Sequence, residues 1–502
     1  MKINKDNIHY LYFAVSTLLF YLFLDYHNIL FYRPQSIHFM RQTDSLSFVV
    51  TYFNHGMNFL EPRVLSLKSI DGKAVGEFPI LYYIAAILYK IFGEHEFFLR
   101  LINLTIVTVG LLYLYKLLVK LLSDIVYALT FTFLFFSSTV LIYYTNNFLP
   151  DPSAFGLTLI GWYFYYNFFK NKSKIKSFIL SLTLFTLAAL IKVTYGLNLS
   201  AALLSLVIYE IFTYHKFSFR KLYPYLISFL FAFIIILSWY YYVLRYNEIN
   251  NVDSFLMNTL PIWSLNELQK NIIWDYIYYY WSPKYYFESF IHVIILLIIA
   301  SLFLIKKSNK IVLTFAITTT IGSIIYFVLF FAQFKAHDYY FIGLIPAIIF
   351  LVINSFISIK NTFPKITGNI FFKIAVITLL LLSMNYAQKK LTERYLTFDE
   401  YANIGKRLDN VNIYLDLIGI GKNEKVIVIH DVTPNGSLYF LNRRGWTISD
   451  TSTDKLSHIP SYIKAGASYL LITNVEYLQN PEIQKITKRK IGSYNDILIY
   501  SL

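Results

Sequence analysis

The segment Arg41-Gln42-Thr43-Asp44 places a cation and a carboxylate shortly after the first long apolar run, Tyr10 to Phe31. A charge at a membrane edge is costly unless it meets water, a partner charge or a ligand. A carboxylate there could take the proton of an attacking hydroxyl, and exclusion of water would make it a stronger base. In a helix, Arg41 would lie beside Asp44, because residues three apart are neighbours. We predict that Asp44 is a catalytic base, and an interfacial ion pair is the alternative interpretation.

Two further carboxylates follow similar apolar boundaries. Glu77 lies in Gly76-Glu77-Phe78-Pro79, directly before a short apolar segment. Asp151 lies between Pro150 and Pro152, which would present it rigidly at the membrane edge. Asp44 and Asp151 could therefore share one site. The alternatives are a solvated loop carboxylate for Glu77 and a helix-capping role for Asp151.

Two cationic positions could meet an anionic lipid. Lys192 is predicted at the outer end of an apolar helix, where it either extends harmlessly to the interface or contacts a lipid phosphate. The cluster Lys335-Ala336-His337-Asp338-Tyr339-Tyr340 joins two apolar segments and favours headgroup binding, with a simple loop as the alternative. No second histidine has ligand spacing near His337, so we do not predict a metal site there.

The composition is that of a membrane protein. Hydrophobic residues make up 57% of the 502 residues and charged residues only 15%, against about 25% in an ordinary soluble protein. The mean hydropathy of +0.51 and the long apolar runs predict a polytopic helical protein. The absence of cysteine excludes disulfides and thiolate sites. The net charge of +15 lies largely in alternate short loops, which favours membrane orientation over nucleic-acid binding.

About eleven helices are predicted, because a span needs about 20 apolar residues. They lie near 10–31, 98–119, 125–145, 153–169, 177–194, 197–213, 223–243, 289–305, 311–333, 339–358 and 370–387. The basic loops predict a cytoplasmic N-terminus, with loops 32–97 and 244–288 outside. The apolar segment 79–92 is too short to span and would be interfacial or re-entrant. The first run lacks a cleavage site and is predicted to be a retained anchor.

A soluble α/β domain is predicted for residues 396–502, outside the membrane, after a transmembrane domain over 1–390. Strands are expected at Lys425 to His430, Ser468 to Thr473 and Asp496 to Ser501, with a helical stretch near 455–465. Ser437 to Asn442 fits a strand or a short helix. Short buried runs of this kind are typical of a sheet covered by helices.

Four pieces resemble, in the same order, motifs of the GT-C membrane glycosyltransferases. The likeness is to the bacterial aminoarabinose-transferase and protein-O-mannosyltransferase-like branch, over about residues 1–390. The pieces are Arg41-x-x-Asp44, the Gly-Glu-x-Pro that contains Glu77, the Pro-Asp-Pro at Asp151, and His337 to Tyr340. In the aminoarabinose transferases a lysine follows the acid that matches Glu77. Phe78 stands at that position here, which argues against aminoarabinose as the sugar.

The resemblance implies a GT-C fold and an inverting transfer from a polyprenyl-phosphate sugar in the bacterial plasma membrane. The acceptor would be a hydroxyl of a lipid, glycan or protein on the outer side. Asp44 would be the base, Asp151 the second acid, and Arg41 and Lys192 the contacts to the donor phosphate. The further substrate-binding residues would be Glu77, His337, Asp338 and Tyr339. Some relatives use a divalent metal ion near the paired acids, and the sequence fits either case.

Two other functions share parts of this pattern. A flippase or transporter of lipid-linked sugars would place its charged site near the middle of the membrane and often shows repeated halves. Here the polar residues gather on one predicted face, and no repeat is evident. An O-antigen-type ligase or polymerase would use a similar donor with a different acceptor, and only its product would distinguish it.

Overall fold

The structure is a computed structural model that describes residues 8–172, 174–214, 219–255, 259–397, 399–450 and 452–502. Three lysines of the basic segments that predict the cytoplasmic side lie outside these ranges: Lys2, Lys5 and Lys216. Residues 256–258 of the predicted loop 244–288 also lie outside them. The chain forms two compact units. The first unit comprises Met1–Leu30, Leu101–Tyr241 and Met257–Thr392, and the second comprises Phe31–Arg100, Tyr242–Leu256 and Glu393–Leu502.

The first unit is built from helices in its described residues. Three of these helices, Phe97–Leu122, Phe219–Ile249 and Ile370–Leu396, extend into residues of the second unit. In chain order, the helices are Ile8–Phe23, Tyr26–Ile29, Phe97–Leu122, Ile125–Phe136, Thr139–Thr145, Asp151–Lys170, Ile175–Ile191, Val193–Tyr195, Gly196–Tyr214, Phe219–Ile249, Ile262–Ser264, Glu267–Asp275, Tyr276–Trp281, Ser282–Tyr285, Glu288–Phe303, Ile305–Lys307, Lys310–Leu329, Gln333–Ala336, Asp338–Leu344, Ile345–Thr362, Pro364–Thr367 and Ile370–Leu396. Most of these sequences are apolar over whole turns, as helices of a membrane protein are.

Within the described ranges, six helices are long and apolar enough to cross a membrane, or eight if each of two bent helix pairs is one span. The bent pairs are Ile125–Phe136 with Thr139–Thr145, at 80°, and Glu267–Tyr285 with Glu288–Phe303, at 100°. The chain is therefore a polytopic membrane protein. The predicted first span 10–31 is shorter in the structure, because the helix that starts at Ile8 ends at Phe23 and Asp25 follows with a left-handed φ of 57°.

Glycines allow two helices of the first unit to approach closely. A Cβ atom on Gly110 would lie 2.7 Å from the Cα of Gly156, so neither position has room for a side chain. Small residues at such crossings are typical of membrane helices, whose association depends on close packing. The contact fixes the helix Asp151–Lys170, whose first residue is one of the predicted site carboxylates.

The second unit contains a five-stranded sheet. Its strands are β1 Lys425–Ile429, β2 Gly445–Ile448, β3 Ala467–Ile472, β4 Arg489–Tyr494 and β5 Ile497–Ser501, in the order β2-β1-β3-β5-β4. β1 pairs in parallel with β2 and β3, whereas β5 is antiparallel to β3 and β4. The helices of the unit are Phe39–His55, Ile70–Gly72, Ile80–Phe92, Glu400–Arg407, Val411–Leu417, Gly436–Leu441, Thr453–Leu456, Ile459–Lys464, Val475–Gln479 and Pro481–Ile486.

The predicted strands at 425–430, 468–473 and 496–501 correspond to β1, β3 and β5. The structure adds β2 and β4, and it resolves the alternative at 437–442 in favour of a helix, Gly436–Leu441. β4 has a charged, largely exposed sequence, as edge strands often do, and so it lacks the apolar pattern that marks a strand. β2 is only four residues long, and a Cβ on its Gly445 would collide with the Val426 carbonyl.

The chain around Leu65 to Leu67, from the predicted outer loop 32–97, runs along the edge of β2. The Leu67 amide donates to the Gly445 carbonyl at 2.7 Å, and the Gly445 amide donates to the Leu65 carbonyl at 3.2 Å. The Trp446 indole also donates to the Leu67 carbonyl, at 3.0 Å. These bonds extend the sheet by one short segment and protect its edge.

Candidate functional site

Asp44 lies on the helix Phe39–His55 of the second unit, with only 6% of its surface exposed. One carboxylate oxygen, Oδ1, accepts a 2.8 Å hydrogen bond from the side-chain amide of Asn435. The other, Oδ2, is 3.9 Å from the guanidinium of Arg41, one helical turn earlier. Burial raises the pKa of Asp44 to about 6, although Arg41 and the Asn435 bond favour its charged form. A buried carboxylate in this state is a stronger base than an exposed one and is still mostly ionised at neutral pH.

Arg41 lies between two carboxylates. Its Nη2 is 3.4 Å from Oε1 of Glu77, which precedes the helix Ile80–Phe92. The same Glu77 oxygen accepts a hydrogen bond from the Tyr82 hydroxyl. The negative charge of Glu77 also raises the pKa of Asp44, so Arg41 and Glu77 act on Asp44 in opposite directions. The predicted neighbourhood of Arg41 and Asp44 on one helical face is confirmed.

Asn435 is positioned by the loop that follows β1. The buried carboxylate of Asp431 accepts hydrogen bonds from the Thr433 amide and hydroxyl, at 2.8 and 2.7 Å, and from the Ser437 amide at 2.8 Å. The Asn435 carbonyl accepts from the Ser66 amide at 3.0 Å and from the Ser47 hydroxyl at 3.2 Å. With its oxygen engaged in this way, Asn435 must turn its amide group toward Asp44.

The first unit contains the second group of predicted residues. The ammonium of Lys192 is 3.4 Å from the carboxylate of Asp151, at the first residue of its helix. Asp151 is buried and Lys192 is half-buried, so the pair is largely removed from solvent. The Lys192 Nζ also lies 5.2 Å from the ring centre of Tyr339 and 5.5 Å from that of Tyr340, within cation–π range.

The predicted cluster around His337 lies beside this ion pair. Asp338 is fully buried, and its carboxylate accepts a 2.6 Å hydrogen bond from the Tyr144 hydroxyl. The Tyr144 ring packs edge-on against Tyr339, with centroids 5.6 Å apart. The half-buried His337 ring stacks on Tyr340 at 5.7 Å. This segment therefore brings Tyr339 and Tyr340 to Lys192, while Asp338 anchors it to a neighbouring helix.

The structure thus brings the predicted residues together in two groups. Arg41, Asp44 and Glu77 are in the second unit, and Asp151, Lys192 and Tyr339 are in the first, with His337 and Asp338 next to them. Each group combines carboxylates with one cation. Asp44 and Asp151 belong to different units, so a joint site of the two stays a prediction.

The residues do not form a recognisable metal centre. In the described part of the chain, no group of three or more His, Asp or Glu side chains is close enough to hold a metal ion. In addition, the guanidinium of Arg41 lies between Asp44 and Glu77. A metal ion that was bound by both carboxylates would occupy this same position. The two carboxylates therefore fit a shared arginine better than a shared divalent ion.

Sequence reasoning missed Asn435 and its support, Asp431. Asn435 is 391 residues from Asp44 in the chain, and no local pattern links them. One indication was present, since the turn sequence Thr433-Pro434-Asn435-Gly436 begins four residues after the end of the buried strand β1. In sheets with parallel strands, loops at the carboxyl ends of strands are frequent places for functional side chains.

The chain is similar to several known proteins. Residues 76–242 match the family model of dolichyl-phosphate-mannose-protein mannosyltransferases. The structure of ArnT from Cupriavidus metallidurans is similar in the apo state, with a TM-score of 0.63 at 11% identity over 99% of this chain and 98% of that one. The same protein bound to undecaprenyl phosphate gives 0.61, also at 11% identity, over 99% and 98% of the two chains.

A third similar structure is the arabinofuranosyltransferase AftD from Mycobacteria. It gives a TM-score of 0.53 at 10% identity, over 98% of this chain and 40% of that one. A comparison with curated protein sequences found no match. At such low identity, the likeness to these structures is one of fold.

Proposed function

Because this chain has the fold of the GT-C membrane glycosyltransferases, we propose that it transfers a sugar from a polyprenyl-phosphate donor to an acceptor hydroxyl, with inversion at the anomeric carbon. The observation that carries this proposal is the state of Asp44. It is buried, its pKa is raised to about 6, and it is oriented by Asn435. These are the properties of a general base that acts near neutral pH.

In the proposed reaction, Asp44 takes the proton of the acceptor hydroxyl as its oxygen attacks the anomeric carbon. The bond between that carbon and the phosphate oxygen breaks, and the polyprenyl phosphate leaves as a stable anion. No acid has to protonate this leaving group, in contrast to glycoside hydrolysis. A cation that meets the phosphate would stabilise its growing charge.

We assign that cationic role to Lys192 and Arg41. The pairing of Lys192 with Asp151 supports this assignment, because Asp151 would keep the lysine charged and in place within a largely apolar environment. Tyr339, whose buried ring lies beside the ammonium, would contact the part of a donor that reaches Lys192. His337 and Asp338 would then shape the segment that carries Tyr339, and Glu77 would hold Arg41.

The proposal includes the membrane arrangement. Eleven spans result if the eight candidate spans are counted together with three further helices, Ile8–Phe23, Asp151–Lys170 and Ile175–Ile191. The short helix Ile80–Phe92 would then lie at the membrane interface. With the N-terminus in the cytoplasm, the C-terminal α/β domain over 396–502 would then lie outside the bacterial plasma membrane, where lipid-linked sugars are used.

The test compares the purified protein with its Asp44→Asn variant on undecaprenyl-phosphate-linked aminoarabinose, mannose and arabinofuranose. The acceptor is supplied as a total envelope extract. We expect one donor to be consumed by the wild-type protein, with release of undecaprenyl phosphate, and not by Asp44→Asn. Asp454→Asn, a change at an exposed aspartate of the same unit, is the matched control. Normal transfer by Asp44→Asn, with a correctly inserted protein, would overturn the assignment of the base.

A further inference from the structure

A cavity of about 360 Å³ lies in the second unit, at the carboxyl end of β2. Its volume is within the range of about 300–1,000 Å³ that is typical of ligand sites. One wall is aromatic. The rings of Trp446 and Tyr462 stack with centroids 4.9 Å apart and an angle of 14°, and His458 stacks on Tyr462 at 6.1 Å. Aromatic walls of this kind pack against the apolar face of a sugar ring.

The cavity also carries a positive charge. Lys68 and Lys455 line it, and both side chains are exposed. Across the described ranges, neither lysine forms an ion pair within 4.0 Å. Asp253 is the one carboxylate among the described residues of the lining, which therefore holds two ammonium groups and one carboxylate. Outside the lining, Asp431 interacts with Lys68 and Asp450 with Lys455. Such a balance favours a ligand with a negative group.

Two buried hydroxyls add a requirement for a polar ligand. Thr447 lines the cavity, and Ser66 lines an adjoining cavity of about 190 Å³. Both side chains are more than nine-tenths buried, and within the described structure their hydroxyls have no hydrogen-bond partner. Buried polar atoms in folded proteins are nearly always paired with a protein group or an ordered water, so each hydroxyl has hydrogen-bonding capacity left for a polar group or a water.

The two cavities adjoin each other, and the smaller one reaches the residue that orients the predicted base. They share Lys68 and Asp253, and the smaller one is also lined by Asn435, which donates to Asp44. A ligand that fills both would therefore extend from the neighbourhood of Asp44 to the aromatic wall at Trp446.

We infer that these two cavities are the acceptor subsite, and that the acceptor is a saccharide that carries a phosphate or carboxylate group. The inference rests on the proposed function for its link to transfer. The sugar ring packs on the wall formed by Tyr462 and Trp446, and Lys68 and Lys455 bind the anionic group. The hydroxyls of Thr447 and Ser66 bind the ring oxygens, and the acceptor hydroxyl lies toward Asp44.

The test measures binding to the full-length protein in detergent, by isothermal titration calorimetry, with four probes: glucose, glucose 6-phosphate, glucuronic acid and inorganic phosphate. We expect the two anionic sugars to bind about tenfold more tightly than either glucose or phosphate alone, because ring and charge are both recognised. Replacement of both lysines (Lys68→Gln with Lys455→Gln) should remove this preference for anionic sugars. The variant Tyr462→Leu should weaken the binding of all three sugars without affecting the binding of phosphate.

Lys464→Gln is the matched control, since Lys464 is an exposed lysine of the same unit that does not line either cavity. Three results would overturn the subsite: equal binding of glucose and its charged analogues, no binding of any sugar, or an equal loss of the preference for anionic sugars in Lys464→Gln. If phosphate bound as tightly as glucose 6-phosphate, the inference that the ligand is a saccharide would be overturned. Binding should persist in Asp44→Asn, which is expected to bind the sugars without transfer. An absence of transfer by the wild-type protein, with binding intact, would remove the proposed function and leave this binding site in place.

Discussion

The side-chain amide of Asn435 donates a 2.8 Å hydrogen bond to the buried carboxylate of Asp44, although 391 residues separate them in the chain. Because the carbonyl of Asn435 is held by Ser66 and Ser47, the direction of this bond is fixed. The bond orients the carboxylate and lowers its pKa, against the larger opposing effect of burial. The loop after β1 therefore sets the acid–base properties of a residue near the other end of the chain.

Removal of this bond should change the pH dependence of transfer. The wild-type kcat/KM should fall as the pH drops through about 6, since a protonated Asp44 cannot act as base. In Asn435→Ala the charged form loses a donor, so the acid limb should move up by about one pH unit. Asn403→Ala, at an exposed position of the helix Glu400–Arg407, should leave the limb in place. An unchanged acid limb in Asn435→Ala would show that Asp44 is not the titrating base.

Asp44→Asn should be more stable than the wild type at neutral pH. An unfolded aspartate titrates near 3.9, whereas the folded pKa is about 6, so the folded state binds the proton more tightly. The wild type therefore loses stability as the pH rises between these values, by about 3 kcal/mol at most. Asparagine carries no charge, and its carbonyl can still accept the Asn435 bond.

The melting temperature of Asp44→Asn should accordingly exceed that of the wild type at pH 7.5, and the difference should shrink toward pH 4.5. Asp454→Asn should show no such gain, because the replaced carboxylate is exposed. A difference of the same size at both pH values would contradict the raised pKa of Asp44.

Arg41→Gln and Glu77→Gln should shift the acid limb in opposite directions. Arg41 lowers the pKa of Asp44, so its loss should move the limb to higher pH, and the rate at pH 7 should fall by about tenfold. Glu77 raises that pKa, so Glu77→Gln should move the limb to lower pH. The rate of Arg41→Gln should recover in part at pH 8.5. Shifts of the same sign in the two variants would refute this electrostatic arrangement, and pH profiles of kcat/KM measure them directly.

The relation of sequence to structure differs between these contacts. Arg41 and Asp44 are three residues apart on a helix, so periodicity alone predicts that they meet. The partners Glu77 and Asn435 depend on how distant segments pack, and spacing carries no information about that. The strands β1, β3 and β5 were predictable because their residues are buried on the sheet, whereas the exposed edge strand β4 has no such pattern.

In the first unit, too, the sequence did not predict which distant side chains meet. Asp151 and Lys192 were each predicted from a charge at the end of an apolar run, but not as a pair. Each charge near a membrane needs a partner, and the sequence shows the need without showing which partner meets it. Helix ends were predicted less well than helices. Asp25, with its left-handed φ, ends the first helix several residues before its apolar run ends.

The ion pair of Lys192 and Asp151 should be revealed by a double-mutant cycle. Loss of one partner leaves the other charge buried, so Lys192→Met and Asp151→Asn should each lower the free energy of unfolding by about 3 kcal/mol, and the double variant should lose less than the sum.

If Lys192 also contacts the donor phosphate, Lys192→Met should raise the KM for the lipid donor at least tenfold, and Lys192→Arg should bring the KM most of the way back to the wild-type value. Lys176→Met, at an exposed lysine of the helix Ile175–Ile191 that ends directly before Lys192, is the control. Additive stability losses would mean that the two side chains do not interact, and an unchanged donor KM would restrict Lys192 to a structural role.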